Sequence, residues 1–447
     1  MEITLPKGVS HIIKTLNLHG FEAYLVGGSI RDLLIDLVPK DYDIATSATP
    51  EEVMNIFDKT LSVGIKHGSI MVFSKGEYYD VTTYRYDGEY EQHRYPKNVI
   101  FIDDLVEDLR RRDITINAMA YHPEKGIIDP FQGTDDLSSR LIRAVGNPVE
   151  RFKEDALRIL RAIRLATSLN FNIENKTLLA MVETMDGLKF ISFERIREEF
   201  NGILLAKYPS RGISLLFQLG IMKFIAPKLM PTALFLQFNP HHDEDVLAHT
   251  LHVLDNTPSK LSLRLAALFH DTGKPYTYHM DERGIGHFYG HEEVSLSLME
   301  ESLTILRYDY KTIDTVGRLI SKHMVSLNMK NEAKLKKLIL TVGVENLEDL
   351  RLLQHADYAS KPNKDEKRII ALDQFYQHLY HIIERGDPMT VKDLAIDGRD
   401  VLNLGLKQGQ EIGRILNLLL DIVLHDPSKN EKKILLNYAL KEIKTHD

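Results

Sequence analysis

The stretch YLVGGSIRDLLIDLVPKDYDIAT, residues 24–46, decides the fold of the N-terminal part of the chain. The apolar segment Ala23–Val26 predicts a strand that ends at two glycines, a helix follows, and DYDIAT opens a second strand. Since alternate residues of a strand share a face, Asp41 and Asp43 are expected to project side by side. Two adjacent carboxylates repel unless a cation lies between them, and magnesium prefers such oxygen ligands.

The two glycines and the residues after them are typical of a triphosphate-binding turn. Glycine lets the backbone come close to a ligand, and Ser29 and Arg31 can donate hydrogen bonds to phosphate oxygens. A bare DxD motif is more often a solvated loop edge, and a Gly-Gly pair is more often a plain turn. Their combination with Arg31 in one strand–helix–strand unit favours a metal-assisted nucleotide site.

The composition fits an intracellular protein of several domains. The 447 residues suggest about three domains, and an apolar fraction of 43% allows sizeable cores. Because there is no cysteine, any metal must be bound by His, Asp and Glu. The first twenty residues lack the apolar stretch of a signal peptide, and no apolar run approaches the roughly 20 residues that span a bilayer. We therefore expect a soluble, cytoplasmic protein without a membrane partner; the sequence does not fix its oligomeric state.

The chain is acidic overall but locally basic. Its net charge of −8 does not by itself favour nucleic-acid binding. Phosphate contacts depend on local patches, however, and arginines are concentrated in the first half of the chain. They are Arg110, Arg111, Arg112, Arg140, Arg143, Arg151, Arg158, Arg161 and Arg164.

Two kinds of pattern divide the chain. Up to about residue 145, helical periodicity near Ile12–Leu18 alternates with strand candidates such as Ser69–Phe73 and Tyr78–Tyr84. From about Pro148 onward, apolar residues recur at helical spacing with little strand signal. We therefore expect an α/β head followed by an extended all-helical part. The expected divisions are 1–145 as head, 146–205 as neck, 206–240 as body, 241–360 as a histidine-containing domain and 361–447 as tail.

Several motifs in order indicate a family. GGSIRDLL with DYDIAT resembles the polymerase-β-type nucleotidyltransferase head. EDLRRRDITINAMAY, IIDPFQGTDDL, LIRAVGNPVERFKEDALRILRAIRLA and ISFERIREEF resemble the successive motifs of class II CCA-adding enzymes and bacterial poly(A) polymerases. The resemblance covers roughly the first half of the chain continuously and the C-terminal segment more loosely. It implies template-independent addition of nucleotides from CTP and ATP to the 3′ end of tRNA, by a two-metal mechanism with Mg²⁺.

The resemblance also implies roles for residues of the head. Asp41 and Asp43 match the catalytic pair that binds magnesium, and Asp80 matches a further strand carboxylate. The positions that match the nucleotide site are Gly28, Arg31, Arg112 and Asp113. For Asp80, a half-buried strand aspartate with local hydrogen bonds is an equally good interpretation.

The segment EDALRILRAIRLA predicts how the base is chosen. On a helix, Asp155 and Arg158 are three residues apart, so they share a face and can match the Watson–Crick edge of a base. In the family that the chain resembles, the matching pair replaces a nucleic-acid template, and Arg161 and Arg164 match further arginines near the nucleotide. Each step of three residues rotates about 60° around a helix, so Arg158 and Arg161 are expected nearest the ligand. The alternative is a solvated i,i+3 ion pair, which is worth only about 0.3–0.5 kcal/mol.

One loop departs from the family pattern. Before the RRD motif, Gln92 stands where the family usually has Asp, and Tyr95 where it has a second Arg. In the family this loop helps to switch specificity from C to A, and CC-adding relatives have it shortened. Its full length here argues against CC-only addition, whereas the two substitutions bear on the efficiency of A addition.

The second half contains a separate set of metal-ligand residue types. A lone helical histidine is usually a packed or surface residue, but His270-Asp271 with further His and Asp at long separations can fill a metal's ligand shell. Their order resembles an HD-domain phosphohydrolase, which identifies 241–360 as an HD domain. The resemblance implies a divalent transition metal, such as Ni²⁺ or Mn²⁺, on His249, His270, Asp271 and Asp357. His291 and His323 are candidates for a second metal or a phosphate, and a structural or RNA-contacting relic is the alternative.

CCA addition to tRNA is the leading hypothesis. Poly(A) polymerase or A-only addition is the close alternative; the tail from residue 390, which resembles Gram-positive-type CCA-adding enzymes, favours CCA addition. The glycines of that tail fit helix ends as well as contact with tRNA. An alternative of another class makes the HD domain the enzyme and the head a non-catalytic RNA-binding module. Asp41, Asp43 and Arg112 oppose it, since binding alone needs no carboxylate pair.

Overall fold

The computed structural model describes residues 3–88, 90–91, 95–96, 99–238, 244–361, 366–405 and 409–446. Contacts divide the chain into two compact units, Met1–Met230 with Ile305–Arg307 and Pro231–Thr304 with Tyr308–Asp447. The boundary after Met230 lies inside the predicted body, 206–240. Among the described residues, no helix is both long enough and apolar enough to cross a membrane.

The first unit begins with an α/β head. Its helices are α1 Lys7–Leu18, α2 Gly28–Leu34, α3 Pro50–Ile56, α4 Leu105–Arg110 and α5 Gly133–Ser138. Its strands are β1 Ala23–Val26, β2 Asp43–Thr46, β3 Thr60–Gly64, β4 Ser69–Ser74, β5 Glu77–Thr83, β6 Arg85–Asp87, β7 Tyr90–Glu91, β8 Tyr95–Pro96, β9 Val99–Phe101, β10 Ala120–His122, β11 Gly126–Ile128 and β12 Leu141–Ile142.

Seven of these strands form one mixed sheet in the order β11-β10-β1-β2-β5-β4-β3. Strand β2 lies at its centre, antiparallel to β1 and parallel to β5. Helix α1 packs its buried residues Val9, Ile12, Ile13 and Leu16 into the head's apolar core, at the i, i+3, i+4, i+7 spacing of one helical face. The rigid sheet thus fixes the residues at the start of β2 and along β5.

The remainder of the first unit is almost entirely helical. Its elements are α6 Pro148–Glu154, α7 Leu157–Leu169, β13 Asn172–Ile173, α8 Asn175–Thr184, α9 Phe193–Leu204, α10 Pro209–Gln218 and α11 Met222–Ile225. Strand β13 pairs in parallel with β12 of the head. Helix α7 is buried along most of its length and packs against α9 and α10.

The described residues of the second unit form helices and one two-stranded ribbon. Its elements are α12 Val246–Asn256, α13 Leu261–Phe269, α14 Lys274–Thr277, β14 His279–Met280, β15 Gly286–His287, α15 His291–Ile305, α16 Tyr310–Lys322, α17 Glu332–Val342, α18 Leu347–Ala359, α19 Glu366–Glu384, α20 Gly398–Leu402, α21 Gln410–His425 and α22 Lys432–His446. Helix α13 is buried from Leu263 to Phe269 and contacts α12, α16 and α18. This central helix therefore presents its C-terminal end to residues from several neighbours.

The expected fold class, an α/β head followed by helices, is confirmed. The strands near residues 23, 69 and 78 lie where the apolar alternation predicted them. Two local predictions are wrong. Strand β2 begins at Asp43, so Asp41 precedes it, and Asp155 lies between α6 and α7 instead of on a helix.

Candidate functional site

Three carboxylates gather around the start of β2. The parallel register of β2 and β5 sets Asp43 directly beside Asp80. Asp80 Oδ1 accepts hydrogen bonds from the hydroxyls of Ser69 and Thr82, the latter at 3.3 Å. Asp80 therefore has the local hydrogen bonds of a structural aspartate and also a position next to Asp43.

The electrostatics of Asp43 indicate a site that favours a cation. Burial by surrounding protein, together with the negative charges of Asp41 and Asp80, raises the pKa of Asp43 to about 6, against the opposing effect of Arg112. Both Asp41 and Asp43 still have exposed side chains. A carboxylate whose ionised form is disfavoured by like charges is stabilised when a divalent cation binds between them, so these residues fit magnesium.

Gly27 lets an arginine approach the carboxylates. Its φ of +78° lies in the left-handed region, and a Cβ there would come within 2.9 Å of an Arg112 guanidinium nitrogen and 3.8 Å of Asp43 Oδ2. Arg112 is held from the other side by Asp108 Oδ2 at 3.7 Å and the Asn117 carbonyl oxygen at 3.4 Å. The glycine is therefore favoured by its backbone conformation, and a Cβ at this position would also make the Arg112 guanidinium shift.

Arg31 is held on the adjoining helix α2. Its guanidinium donates to Asp32 Oδ1 at 2.7 and 2.9 Å and to Asn117 Oδ1 at 2.6 Å. Asn117 thus connects both arginines expected at the triphosphate, through its side chain to Arg31 and through its carbonyl to Arg112. Sequence reasoning did not single out Asn117, although it lies in the motif EDLRRRDITINAMAY.

Helix α7 is joined to the head through the RRD segment. Arg161 on α7 forms an ion pair with Asp113 Oδ2 at 2.7 Å, and Arg158 donates to the carbonyl of Arg111 at 3.1 Å. Although burial opposes ionisation, Arg161 and Arg158 hold the pKa of Asp113 below its usual value. Asp113 therefore positions α7 against the head.

Asp155 does not share a helical face with Arg158. Its backbone is extended (φ −143°, ψ 105°), and its Oδ1 accepts from the N–H of Leu157 at 3.0 Å, as a capping residue does at the start of a helix. Its Oδ2 accepts from Arg195 of α9 at 2.7 Å. The helical periodicity of the segment concealed this break, although an aspartate favours the start of a helix over its interior and is the signal that could have indicated it.

Arg158 and Arg164 are each paired with a glutamate. Arg158 donates to Glu154 Oε2 at 2.5 Å, and Arg164 donates to Glu199 Oε2 at 2.6 Å. The i,i+3 pair of Asp155 with Arg158, expected if the segment were merely a solvated helix, is replaced by these contacts. Arg158 and Arg161 contact residues 111 and 113, whereas Arg164 lies against α9.

The loop that departs from the family pattern is described only in part. Gln92 lies outside the described residues. Tyr95 lies in strand β8, which pairs with β7, and its side chain is not described.

The second unit brings all six predicted His and Asp ligands together. Asp271 is 2% exposed and lies at the centre of the cluster. Its Oδ2 is 3.2 Å from His270 Nε2 and 3.8 Å from His249 Nε2. Its Oδ1 is 3.3 Å from His291 Nε2 and 3.9 Å from His323 Nε2. Asp357 completes the cluster, with Oδ1 2.9 Å from His249 Nε2.

The atoms of this cluster suit a cation. His270 Nε2 is buried and faces the cluster, 3.2 Å from Asp271 Oδ2. Burial lowers the pKa of His323 to about 3, which keeps that imidazole neutral and able to bind a metal. Burial opposes ionisation of Asp271 as well, but His270 and Lys274 hold its pKa well below the usual value. The residues present therefore fit a divalent transition metal.

Two lysines that sequence reasoning missed contact the carboxylates. Lys274 Nζ is 2.7 Å from Asp271 Oδ2, and Lys361 Nζ is 3.0 Å from Asp357 Oδ2. Their spacings of three and four residues from the aspartates are a helical signal that could have found them. Both lysines line a cavity of about 260 Å³ beside the cluster, with Arg368 and His287.

Fold and site together define a nucleotidyltransferase of the polymerase-head type with an HD domain. Family models match at residues 23–143 (Poly A polymerase head domain), 170–232 (Probable RNA and SrmB-binding site of polymerase A) and 246–361 (HD domain). The chain is 32% identical over 436 residues to the CCA-adding enzyme of Streptococcus mutans, covering 97% of this chain and 96% of that one. The chain therefore belongs to the family of CCA-adding enzymes.

Two further comparisons agree. The CCA-adding enzyme of Lactococcus lactis is 45% identical over 262 residues, an alignment that spans 57% of this chain and 66% of that one. The crystal structure of the Bacillus stearothermophilus CCA-adding enzyme in complex with CTP matches with a TM-score of 0.74 and 28% identity, over 99% of both chains.

Proposed function

We propose that this protein adds C, C and A to the 3′ end of tRNA from CTP and ATP without a nucleic-acid template. The observation that carries the proposal is the grouping of Asp43 beside Asp80, with Asp41 and Arg112 acting on the same carboxylate. The likeness of the whole chain to the Bacillus stearothermophilus enzyme in complex with CTP supports it.

In the proposed reaction, Asp41 and Asp43 bind magnesium and Asp80 supports them. Bound magnesium would neutralise the triphosphate and lower the pKa of the attacking RNA 3′-hydroxyl. Gly27 and Gly28 let the triphosphate approach the backbone, while Arg31 and Arg112 donate hydrogen bonds to its oxygens. The contacts of both arginines with Asn117 hold their guanidinium groups in place before the nucleotide arrives.

We propose that Asp155 and Arg158 read the base. A carboxylate offers about four acceptor sites, so Asp155 can accept from an amino group of the base while retaining Leu157 and Arg195. Arg158 supplies donors from a guanidinium that Glu154 and the Arg111 carbonyl orient. Glu154 and Arg195 are thus positioning residues, and Arg161 and Arg164 fix α7 through Asp113 and Glu199.

A second activity is proposed for the HD domain. His249, His270, Asp271 and Asp357 would bind a divalent transition metal, such as Ni²⁺ or Mn²⁺, which can supply an activated water for phosphoester hydrolysis. The adjacent cavity supports a phosphorylated substrate, because Lys274, Lys361 and Arg368 line it.

The proposal also assigns a function to each segment that follows the head. Residues 146–205 would act as a neck that selects the base, 206–240 as body, 241–360 as HD domain and 361–447 as a tRNA-binding tail. We place the reaction in the cytoplasm, where the absence of cysteine suits a reducing compartment.

The test uses tRNA that lacks its 3′ CCA, with Mg²⁺ and with CTP and ATP singly and together. CTP alone should add two C residues, and both nucleotides together should add CCA, as read by sequencing the 3′ ends. Addition of A alone would support an A-adding enzyme, and long A tracts a poly(A) polymerase. A chain that incorporates neither nucleotide would contradict the proposal.

A further inference from the structure

The carboxylate of Asp108 connects two parts of the head that are far apart in sequence. Asp108 lies on helix α4 and is 1% exposed. Its Oδ1 accepts from Nε and Nη2 of Arg111, at 2.9 and 2.8 Å, and from the backbone N–H of Arg85, at 3.3 Å. One oxygen atom therefore joins the RRD segment to the first residue of strand β6.

Strands β6 and β9 form the stem of the loop that departs from the family pattern. They pair in antiparallel register with Arg85 opposite Phe101. Directly outside this pair, the N–H of Ile102 donates to the carbonyl of Tyr84 at 3.0 Å and closes the base of the stem. Tyr84 and Ile102 belong to the same apolar cluster as Leu109 of α4. Helix α4 therefore fixes the stem both by apolar packing and by the Asp108 carboxylate.

The second oxygen of Asp108 faces the other arginine of the RRD segment. Oδ2 lies 3.7 Å from Arg112 Nη2, which is an ion pair longer than a hydrogen bond. An attraction between charges at this distance favours one position of the guanidinium without occupying its Nη2 donor. That donor stays available for a phosphate oxygen, to which a guanidinium makes strong, directional hydrogen bonds.

We infer that Asp108 is a positioning residue that fixes Arg112 for the triphosphate and ties this arginine to the stem of the preceding loop. The inference rests on the proposed contact between Arg112 and the triphosphate, and it adds the residue that sets the position of the guanidinium. Asp108 is buried and acts through Arg112. Because one carboxylate serves both parts, a shift of the stem also shifts the arginine.

The variant Asp108→Asn separates the roles of the two oxygens. Its amide oxygen can replace Oδ1, whereas its amide nitrogen then faces Arg112 as one donor against another. The measurement is the steady-state rate of CTP incorporation into tRNA that lacks its 3′ CCA. KM for CTP should rise about tenfold and kcat should stay within about twofold, because the arginine binds the triphosphate before and during the reaction.

A double-mutant cycle distinguishes positioning of Arg112 from general stabilisation of the head. In a chain that already carries Arg112→Ala, Asp108→Asn should cause no further increase in KM, because the residue acts through the arginine. The matched control is Glu107→Gln on the same helix. The Glu107 side chain is 39% exposed and pairs with Arg110 at 3.0 Å, so this variant should keep the KM of the unmodified chain.

Three kinetic outcomes would overturn the inference. An unchanged KM in Asp108→Asn would show that the carboxylate does not set Arg112, and an equal rise in KM with and without Arg112 would reduce Asp108 to a structural residue. An unchanged KM in Arg112→Ala would instead contradict the proposed triphosphate contact, and the inference with it.

Hydrogen exchange tests the tie to the stem without any substitution. CTP with Mg²⁺ should slow amide exchange of the stem in the full-length chain, as followed by mass spectrometry, because the N–H of Arg85 donates to the carboxylate that faces Arg112. An exchange rate of the stem that CTP leaves unchanged, although CTP is bound, would overturn this part of the inference.

Discussion

The head and the HD domain contain two proposed cation sites that are built from different ligand types. In the head, Asp41 and Asp43 are exposed carboxylates, and arginines lie close by. In the HD domain, Asp271 and its histidines are buried, and backbone carbonyls accept hydrogen bonds from Nδ1 of His270 and His291. Oxygen ligands open to solvent suit a magnesium ion that arrives and leaves with each triphosphate, whereas buried imidazoles suit a resident transition metal. By exposure and ligand type, the head site therefore suits a metal that exchanges at each reaction cycle, and the HD site suits a metal that stays bound.

The largest expected effect comes from removing the charge of the head carboxylate. Asp43→Asn should lower the rate of CTP incorporation into tRNA by at least about 10³-fold, because charge stabilisation by a metal contributes several kcal/mol to such a transition state. Asp36→Asn is the matched control, an exposed aspartate of the head, and should retain the full rate. If the Asp43→Asn variant incorporates CTP at the rate of the unmodified chain, the head does not carry out the catalysis.

Metal removal should affect the stability of the second unit. Calorimetry with Mn²⁺ at about one hundred times its Kd should show the HD domain stabilised by about 2.7 kcal/mol relative to the chelated protein. His270→Ala should lose this metal-dependent increase. Equal stabilisation by Mn²⁺ in His270→Ala and in the unmodified chain would mean that the buried cluster does not retain the metal.

Base selection should respond to the shape of a guanidinium more than to its charge. Arg158→Lys keeps the positive charge but loses the planar, forked arrangement of hydrogen-bond donors of a guanidinium. Discrimination of CTP and ATP against UTP and GTP should therefore fall by about 5- to 150-fold, that is, about 1–3 kcal/mol. Competition kinetics on tRNA ends would measure it. Lys153→Ala, which removes an exposed charge on the preceding helix, should leave the ratio unchanged. If Arg158→Lys and Lys153→Ala both discriminate between nucleotides as well as the unmodified chain does, Arg158 does not read the base.

The smallest expected effect is electrostatic. Asp41→Asn removes a neighbouring negative charge, which favours the ionised form of Asp43, so the pKa of Asp43 should fall from about 6 toward its ordinary value in the metal-free protein. Carboxyl carbon NMR during an acid titration would follow it. A pKa that stays at about 6 would show that the charge of Asp41 does not contribute to the shift.

The sequence predicts those parts of both sites that depend on residues close together in the chain. The alternation of apolar residues predicted the strands around Asp43 and Asp80, and motif order predicted the six residues of the histidine–aspartate cluster. It could not give the register that sets Asp43 beside Asp80, because strand pairing joins residues far apart in sequence.

The error at Asp155 has a different cause. Periodicity over residues 154–166 is continuous, but the extended backbone of Asp155 ends α6, and its side chain accepts from the N–H of Leu157, where α7 begins. The partners Arg195 and Glu199 lie on α9, some forty residues away, and packing of α9 on α7 brings them to Asp155 and Arg164. Tertiary packing therefore determines contacts that helix periodicity leaves open.

The most direct measurement of the central claim is the sequence of tRNA 3′ ends after incubation with CTP, ATP and Mg²⁺, for the unmodified chain and for Asp41→Asn with Asp43→Asn. The unmodified chain should convert ends lacking CCA into complete CCA ends, and the doubly substituted chain should leave them unextended. Complete CCA ends from the doubly substituted chain would contradict the assignment of nucleotide addition to the carboxylates of the head.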